Sequence, residues 1–297
     1  MTFNKKTNIL VTGTHRSGTT WVGRTIAHGK SVRYVQEPFN VDYPNQYLGL
    51  KVSKWYTDIN HIPITEQNKI QRCFDEFLNP PPCKHAFRMM QIEAEKLKKV
   101  PRFLSELWQE TFYQERILIK DPLALLSAGW LTETYNLQTI CLIRNPLAFV
   151  GSLKKAGWKF DYNNFLSQGS LVDARFSKFI PDIERCANND DFIFHASILW
   201  NNLHSVISEY MTDYPHWMFI KYEDLAEDPL NGFIEIYDFL NLKINRKTKM
   251  YIKDFTMKSN PKDTGDNLYS PRNASDSLNS WRARLDNEEV EDILKYT

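Results

Sequence analysis

Residues 9 to 27, ILVTGTHRSGTTWVGRTIA, join an apolar run that stops at Gly13 to a helix-like pattern that begins near Ser17. A strand–turn–helix of this kind aims several backbone N–H groups at one point, and helix N-termini hold anions through those donors and the helix dipole. Small residues from 17 to 20 permit close approach, and the Thr19 and Thr20 hydroxyls can donate. The glycine spacing is that of the nucleoside-triphosphate loop G-x-x-x-x-G-K-S/T, but Thr19 stands where that loop has its lysine. The expected ligand carries a phosphate yet does not call on that lysine. Two further cations end apolar runs: Lys120 in ILIK, and Arg144 in CLIR, with Ser152 eight residues on. Arginine binds phosphate bidentately, and a serine two helical turns later could touch the same group. Taken alone, an arginine at a strand end is more often a surface ion pair.

The elements that must position these residues are legible as alternating patterns. Short β-rich runs lie at 8–13, 31–38, 116–122, 138–146 and 217–224. Apolar strands without polar alternation indicate a sheet covered on both faces, hence parallel with helical crossovers. Helical patterns follow at 17–28, with Ser17 as cap, at 123–135, and from Pro146 to about 155, where proline suits the first turn. Residues 191–213 carry Phe192, His195, Ile198, Leu199, Leu203 and Val206 as one stripe, which makes His195 and His204 packing or surface residues rather than ligands. The expected fold class is α/β, in three layers, with a central, mostly parallel sheet flanked by helices. Ligands of such sheets bind at the carboxyl ends of the strands. Gly13, Glu37, Lys120, Arg144 and Tyr222 all fall at or just beyond those ends, so one active site is expected. Residues 40–115 are too long for a simple crossover and read as a helical insertion between the second and third strands that shapes an acceptor site. Residues 256–280 form a polar loop that is either disordered or a lid over a ligand. The whole chain, 1–297, reads as one domain.

Composition narrows the partners. Thirty-seven basic and 36 acidic residues leave a net charge of +1, so no global field favours nucleic acid or an anionic membrane, and any anion site must be local. Cys73, Cys83, Cys141 and Cys186 are scattered with no C-x-x-C pair, which excludes a disulfide framework or zinc site and suggests a reducing compartment. Lys5 and Lys6 precede only Ile9–Val11, too short for a signal peptide, and FIFHASILW falls short of a membrane span. A cytoplasmic protein without stable membrane insertion is expected.

The motifs taken together resemble a known family. HRSGTTW resembles the 5′-phosphosulfate loop, commonly P-K-S-G-T-T-W, of sulfotransferases that use 3′-phosphoadenosine 5′-phosphosulfate (PAPS). RNPLAFVGS resembles their 3′-phosphate motif, and KYEDL their Y-E-D segment. EPFN at 37–40 and IKDP at 119–122 resemble the bacterial and Golgi-type branches. The resemblance covers nearly the whole chain. It implies a P-loop nucleotide-kinase-like fold and in-line transfer of a sulfuryl group from PAPS to a hydroxyl or amine, with 3′-phosphoadenosine 5′-phosphate (PAP) as product and no metal. It implies that Arg16, Ser17, Gly18, Thr19 and Thr20 hold the 5′-phosphosulfate, with Arg16 in the family's lysine position. Guanidinium can stabilise charge there but cannot give up a proton. Arg144 and Ser152 are implied for the 3′-phosphate, Trp21 and Tyr222 for the adenine, and Arg272 loosely for a C-terminal arginine loop. The histidine of the cytosolic branch is absent, its position being Pro122. Glu37 is therefore implied as the base, with His85 a weaker candidate, while Arg16, Lys120 and the loop amides are implied to stabilise the charge on the sulfonate and on the leaving phosphate oxygen. The acceptor is a small molecule, a carbohydrate or a lipid, the branch favouring carbohydrate or glycolipid. Tyr43, Tyr47, Trp55, Tyr56, Phe87, Trp158, Phe160 and Tyr162 are expected around it. Two other readings stay open: a P-loop kinase with Asp121 as magnesium ligand, and a nucleotide-binding protein without catalysis.

Overall fold

The computed structural model describes residues 7–29, 32–42, 48–78, 116–256 and 278–297. Five strands, β1 (Ile9–Gly13), β2 (Val32–Gln36), β3 (Arg116–Lys120), β4 (Gln138–Ile143) and β5 (Met218–Lys221), form one sheet in the order β2-β3-β1-β4-β5. All four pairings are parallel. The described helices are α1 (Thr19–Ala27), α2 (Ile64–Leu78), α3 (Ala128–Tyr135), α4 (Pro146–Ala156), α5 (Asn163–Leu166), α6 (Gly169–Arg175), α7 (Ile180–Ala187), α8 (Phe192–Asp213), α9 (Tyr222–Glu227), α10 (Pro229–Phe239), α11 (Arg246–Thr256) and α12 (Asn287–Tyr296).

The strands read as continuous apolar runs because both faces are covered, and their residues alternate between two cores. Ile9, Val11, Leu118, Ile140 and Leu142 face a cluster built with Val22 and Ile26 of α1 and Phe233 and Ile236 of α10. Leu10, Ile117, Ile119 and Cys141 face a larger one with Phe149 of α4 and Leu199, Leu203 and Val206 of α8. This period of two is what a pleated strand imposes. Each fully buried aliphatic side chain contributes about 1.5–3 kcal/mol.

Local chemistry sets the helix starts. Asn145 accepts from the N–H groups of Leu147 and Ala148 ahead of Pro146, and Gly157 closes α4 in the left-handed region at φ 59°. Asp191 caps α8 by accepting from Phe194 N–H at 3.0 Å. His195 is buried on that helix, with Nε2 against the Asn189 carbonyl, and His204 stacks on Trp200 at 3.8 Å. Both are packing residues.

The order of strands places the site. The chain leaves β1 to one side for β2 and β3, then crosses to the other for β4 and β5. The crevice beyond the carboxyl end of β1 is thus the topological switch point of the sheet. Of the segment 40–115, the described part carries a short 3₁₀ turn (Ile59–His61) and α2, packed on the larger core through Ile70, Phe74 and Phe77. Among the described residues, no helix is long and apolar enough to cross a membrane.

Candidate active site

Register brings Glu37 and Lys120 together. Gln36 and Lys120 are partners across β2 and β3, so Glu37 leaves β2 beside Lys120 and its N–H donates to the Lys120 carbonyl at 2.8 Å. The strand stops there because Glu37 turns into the left-handed region at φ 46°. Its Oε1 pairs with Lys120 Nζ, and its Oε2 accepts from Asn40 Nδ2 at 2.8 Å. Lys120 is wholly buried, whereas the Glu37 side chain keeps 21% of its exposure. The carboxylate, not the ammonium, therefore faces outward.

Asp121 fastens this corner. Its Oδ2 accepts from Phe39 N–H at 2.6 Å, and its Oδ1 from the N–H groups of Leu123 and Ala124 at 2.8 and 3.2 Å. Burial pushes its carboxyl up to about 7, and the Glu37 charge adds to the rise, against the Phe39 and Leu123 donors and the Lys120 charge. Both oxygens are thus engaged by backbone, and the residue acts as the clamp of the Glu37 turn rather than as an open metal ligand.

The loop after β1 crosses the switch point. Gly13 adopts φ 131°, and a Cβ there would strike the Leu142 backbone of β4. Gly18 caps α1 at φ 89°, ψ 9°, with no side chain bonded to the first turn and no acidic residue in it. Ser17 is therefore not the cap its position suggests. Its hydroxyl turns back to the Thr14 carbonyl at 2.5 Å, because the left-handed Gly18 intervenes before the helix. The first-turn N–H groups of α1 are left for an anion. Thr19 is buried and Thr20 half-buried at that turn. The Thr14 Oγ1 is buried without a hydrogen-bond partner among the described residues. Arg16, at φ 66°, donates from Nε to Ser152 Oγ on α4 at 2.9 Å.

On the other side of β1 the aromatic and basic residues meet. The Arg144 guanidinium lies 3.6 Å from the Tyr222 ring centroid, and its Nε is 3.4 Å from Glu223 Oε1 in an ion pair. Trp21 packs edge-on to Tyr222 at 5.8 Å and to Phe233 at 5.3 Å. A Cβ on Gly18 would come within 2.5 Å of the Tyr222 ring. The structure thus gathers Arg16 with Ser152, Lys120 with Glu37, and Gly18, Trp21 and Arg144 with Tyr222. Arg272, His85 and the 257–277 part of the polar loop lie outside the described residues.

Two residues were not singled out from the sequence as partners. His15 Nδ1 meets the Tyr56 hydroxyl, and the imidazole sits edge-on to Phe149 and Trp158 at 5.1 and 4.6 Å. Burial, helped by the Arg16 charge, lowers His15 to about 3. Of the aromatics expected around an acceptor, Tyr56, Phe160 and Tyr162 are buried in the core, the last donating to the His195 carbonyl at 2.7 Å. Trp55 and Trp158 are partly exposed, 5.3 Å apart. Tyr43, Tyr47 and Phe87 lie outside the described residues.

Two described cavities lie away from this crevice. One, of about 700 Å³, adjoins Arg116 and Gln138 at the amino ends of β3 and β4. Arg116 there donates to Thr7, Leu240 and Gln138, closing the end of α10. The other, of about 440 Å³, lies beside Lys159 and His195.

Residues 6–297 match the family described as "Sulfotransferase domain". Human Carbohydrate sulfotransferase 2 is 26% identical over 81 residues, which are 27% of this chain and 15% of that protein. Carbohydrate sulfotransferase 1 of Danio rerio is 31% identical over 81 residues, 27% of this chain and 18% of that protein. The match thus spans less than a fifth of the length of these relatives. Among solved structures, mouse sulfotransferase SULT7A1 complexed with PAP aligns over 98% of this chain and 83% of its own, at 14% identity and TM-score 0.47. At that level the fold rests on the strand order itself.

Proposed function

The chain belongs to the sulfotransferase domain family, and from that premise we propose that it moves a sulfuryl group from PAPS to an acceptor hydroxyl or amine and releases PAP. The observation that carries the reading is the Arg16–Ser152 contact. It ties an uncapped, left-handed anion loop to the helix that follows Arg144, so that cations suited to two separate phosphates face one crevice. The residues fit such a donor: the first turn of α1 is free of acidic side chains, and the Thr14 hydroxyl has no described partner.

When bound, PAPS supplies the sulfuryl group and a phosphate leaving group. Ser17, Gly18, Thr19 and Thr20 present N–H and hydroxyl donors to the 5′-phosphosulfate, and Arg16 adds its charge. Arg144 and Ser152 serve the 3′-phosphate, and Tyr222 and Trp21 the adenine. Glu37, the exposed member of its ion pair, takes the proton as the acceptor O–H bond breaks and the new oxygen–sulfur bond forms. Arg16 and the loop amides would stabilise the negative charge that the phosphate leaving group takes with the electron pair of its broken bond to sulfur. Lys120 turns from Glu37 to the developing charge on the sulfonate. One such preorganised donor is worth roughly 10² to 10³ in rate.

The acceptor we propose is a carbohydrate or glycolipid hydroxyl. It is supported by the local likeness to carbohydrate sulfotransferases and by the partly exposed Trp55 and Trp158, whose faces suit sugar rings. We place the protein in the cytoplasm, a reading supported by the unbridged thiols of Cys141 and Cys186 among the described residues. The test is incubation with radiolabelled PAPS and panels of saccharide, glycolipid and phenolic acceptors. Labelled saccharide with equal release of PAP is expected. No labelled product with any panel, alongside consumption of ATP in magnesium, overturns the reading.

A further inference from the structure

We propose that His15 and Tyr56 form a positioning pair that holds the loop after β1 in its anion-ready shape, an inference that rests on the sulfotransfer reading above. Tyr56 has no exposed surface, and its hydroxyl is spent on His15 Nδ1. His15 Nε2 is buried and has no hydrogen-bond partner among the described residues, so Tyr56 is the described hydrogen-bond partner of the ring. Phe149 of α4 and Trp158 press on the imidazole edge-on. Tyr56 in turn packs on Phe160 and Phe165, at 5.9 and 6.2 Å. The loop is thereby fastened to a wall built from the 48–62 and 157–166 segments.

The charge state of the pair follows from its surroundings. Burial and Arg16 keep His15 neutral, and burial, with the charges of Asp121 and Glu37 and against the His15 backbone N–H, keeps the Tyr56 hydroxyl protonated. One hydrogen bond between uncharged groups therefore joins the Tyr56 hydroxyl to Nδ1. A neutral His15 leaves Arg16 as the sole charge in the loop between Gly13 and Gly18.

The pair lies where the backbone most needs holding. Arg16 and Tyr56 both occupy the left-handed region, at φ 66° and 56°. Non-glycine residues persist there only where their surroundings over-determine them. On its C-terminal side the loop is pinned by Ser17, whose N–H and hydroxyl both donate to the Thr14 carbonyl. On its N-terminal side the pin is His15. Without the Tyr56 hydroxyl, His15 is released and Arg16 relaxes toward ordinary dihedrals, taking its guanidinium from Ser152. The free protein then spends part of its time in a loop shape that cannot hold an anion, and apparent affinity falls by the fraction that remains competent.

The test is calorimetric titration of the full chain with PAP, for wild type, Tyr56→Phe, His15→Ala, His15→Asn and the Tyr56→Phe/His15→Ala double variant, each with its ligand-free thermal midpoint. Losing the hydrogen bond is expected to raise the PAP dissociation constant about tenfold in Tyr56→Phe and in His15→Ala. The double variant is expected to bind no more weakly than either. In His15→Asn the side-chain amide, which carries both an acceptor and a donor, takes the place of Nδ1, and affinity returns to within about threefold of wild type. A merely structural pair would lower the midpoints and leave PAP affinity unchanged; that result overturns the proposal, as do additive losses or a failure of Asn to rescue. Should His15→Ala fail to fold, Tyr56→Phe, which keeps the ring and loses one oxygen, decides alone. A wild type that takes up no PAP overturns the sulfotransfer reading and this inference with it. PAP uptake that is equal in wild type and Tyr56→Phe overturns this inference only.

Discussion

Glu37→Gln keeps the length of the side chain and one acceptor oxygen but removes the charge that faces Lys120. Its effect on stability follows from the unequal exposure of the pair, 0% for the lysine side chain and 21% for the glutamate. Taking the partner from a buried charge costs about 3–5 kcal/mol. The glutamine oxygen still accepts from the ammonium, which sets the expectation near the lower end, about 3 kcal/mol. Lys120→Met removes the buried charge itself and leaves a carboxylate that water and Asn40 can serve, for a cost of about 1 kcal/mol. Glu37→Gln is thus the more destabilising change although Lys120 is the more buried residue. Turnover falls on the order of 10² to 10⁴ in Glu37→Gln through loss of the base, while PAP binding holds, because Glu37 lies off the loop. Urea midpoints measure the first effect and initial rates of PAP release from PAPS the second. Wild-type turnover in Glu37→Gln removes it as the base. A larger loss of stability in Lys120→Met refutes the burial argument.

Other outcomes follow from single residues. Arg144→Ala weakens PAP and PAPS by roughly 10- to 100-fold but not adenosine 5′-phosphosulfate, which lacks the 3′-phosphate; equal weakening of all three removes Arg144 from that role. Gly18→Ala forces a left-handed alanine against the Tyr222 ring, at a cost of about 1–2 kcal/mol from the backbone alone, so PAP titration shows a roughly tenfold or greater loss; wild-type affinity contradicts the tight loop. His15 is held at about 3, below its ordinary 6.5, by burial and Arg16. For a base lowered on folding, that stability is complete above pH 6.5 and is lost as pH falls toward 3, about 2 kcal/mol being gone at pH 5. His204, lowered to about 4 by burial, acts in the same direction. Urea midpoints at pH 7 and 5 should therefore lie closer together in His15→Asn than in wild type; an identical acid loss in both contradicts the assignment.

The strand tips were legible because apolar runs broken by a charge and then proline carry their own punctuation, as in ILIKDP and CLIRNP. The second strand was read two residues too long because Glu37 leaves it through a left-handed turn that residue type does not announce. Ser17 resembled a cap for the same reason: the left-handed residue at Gly18 comes between it and the helix. The role of Asp121 depends on Phe39, 82 residues away, and the His15–Tyr56 bond spans 41 residues. No local pattern encodes either pairing, although a histidine inside a glycine-bounded loop was a signal to pursue. Aromatic residues showed that a wall would exist but not which way they point: Tyr56, Phe160 and Tyr162 turn into the core, and only Trp55 and Trp158 of those described keep surface.

The most direct test of the central claim, that the β1–α1 loop grips a phosphosulfate with amide hydrogens and the Arg16 guanidinium, is calorimetric titration of the wild-type chain with PAP in the presence of a chelator. The account predicts one-site binding that the chelator leaves unchanged. No heat with PAP, together with tight binding of ATP once magnesium is supplied, would contradict it.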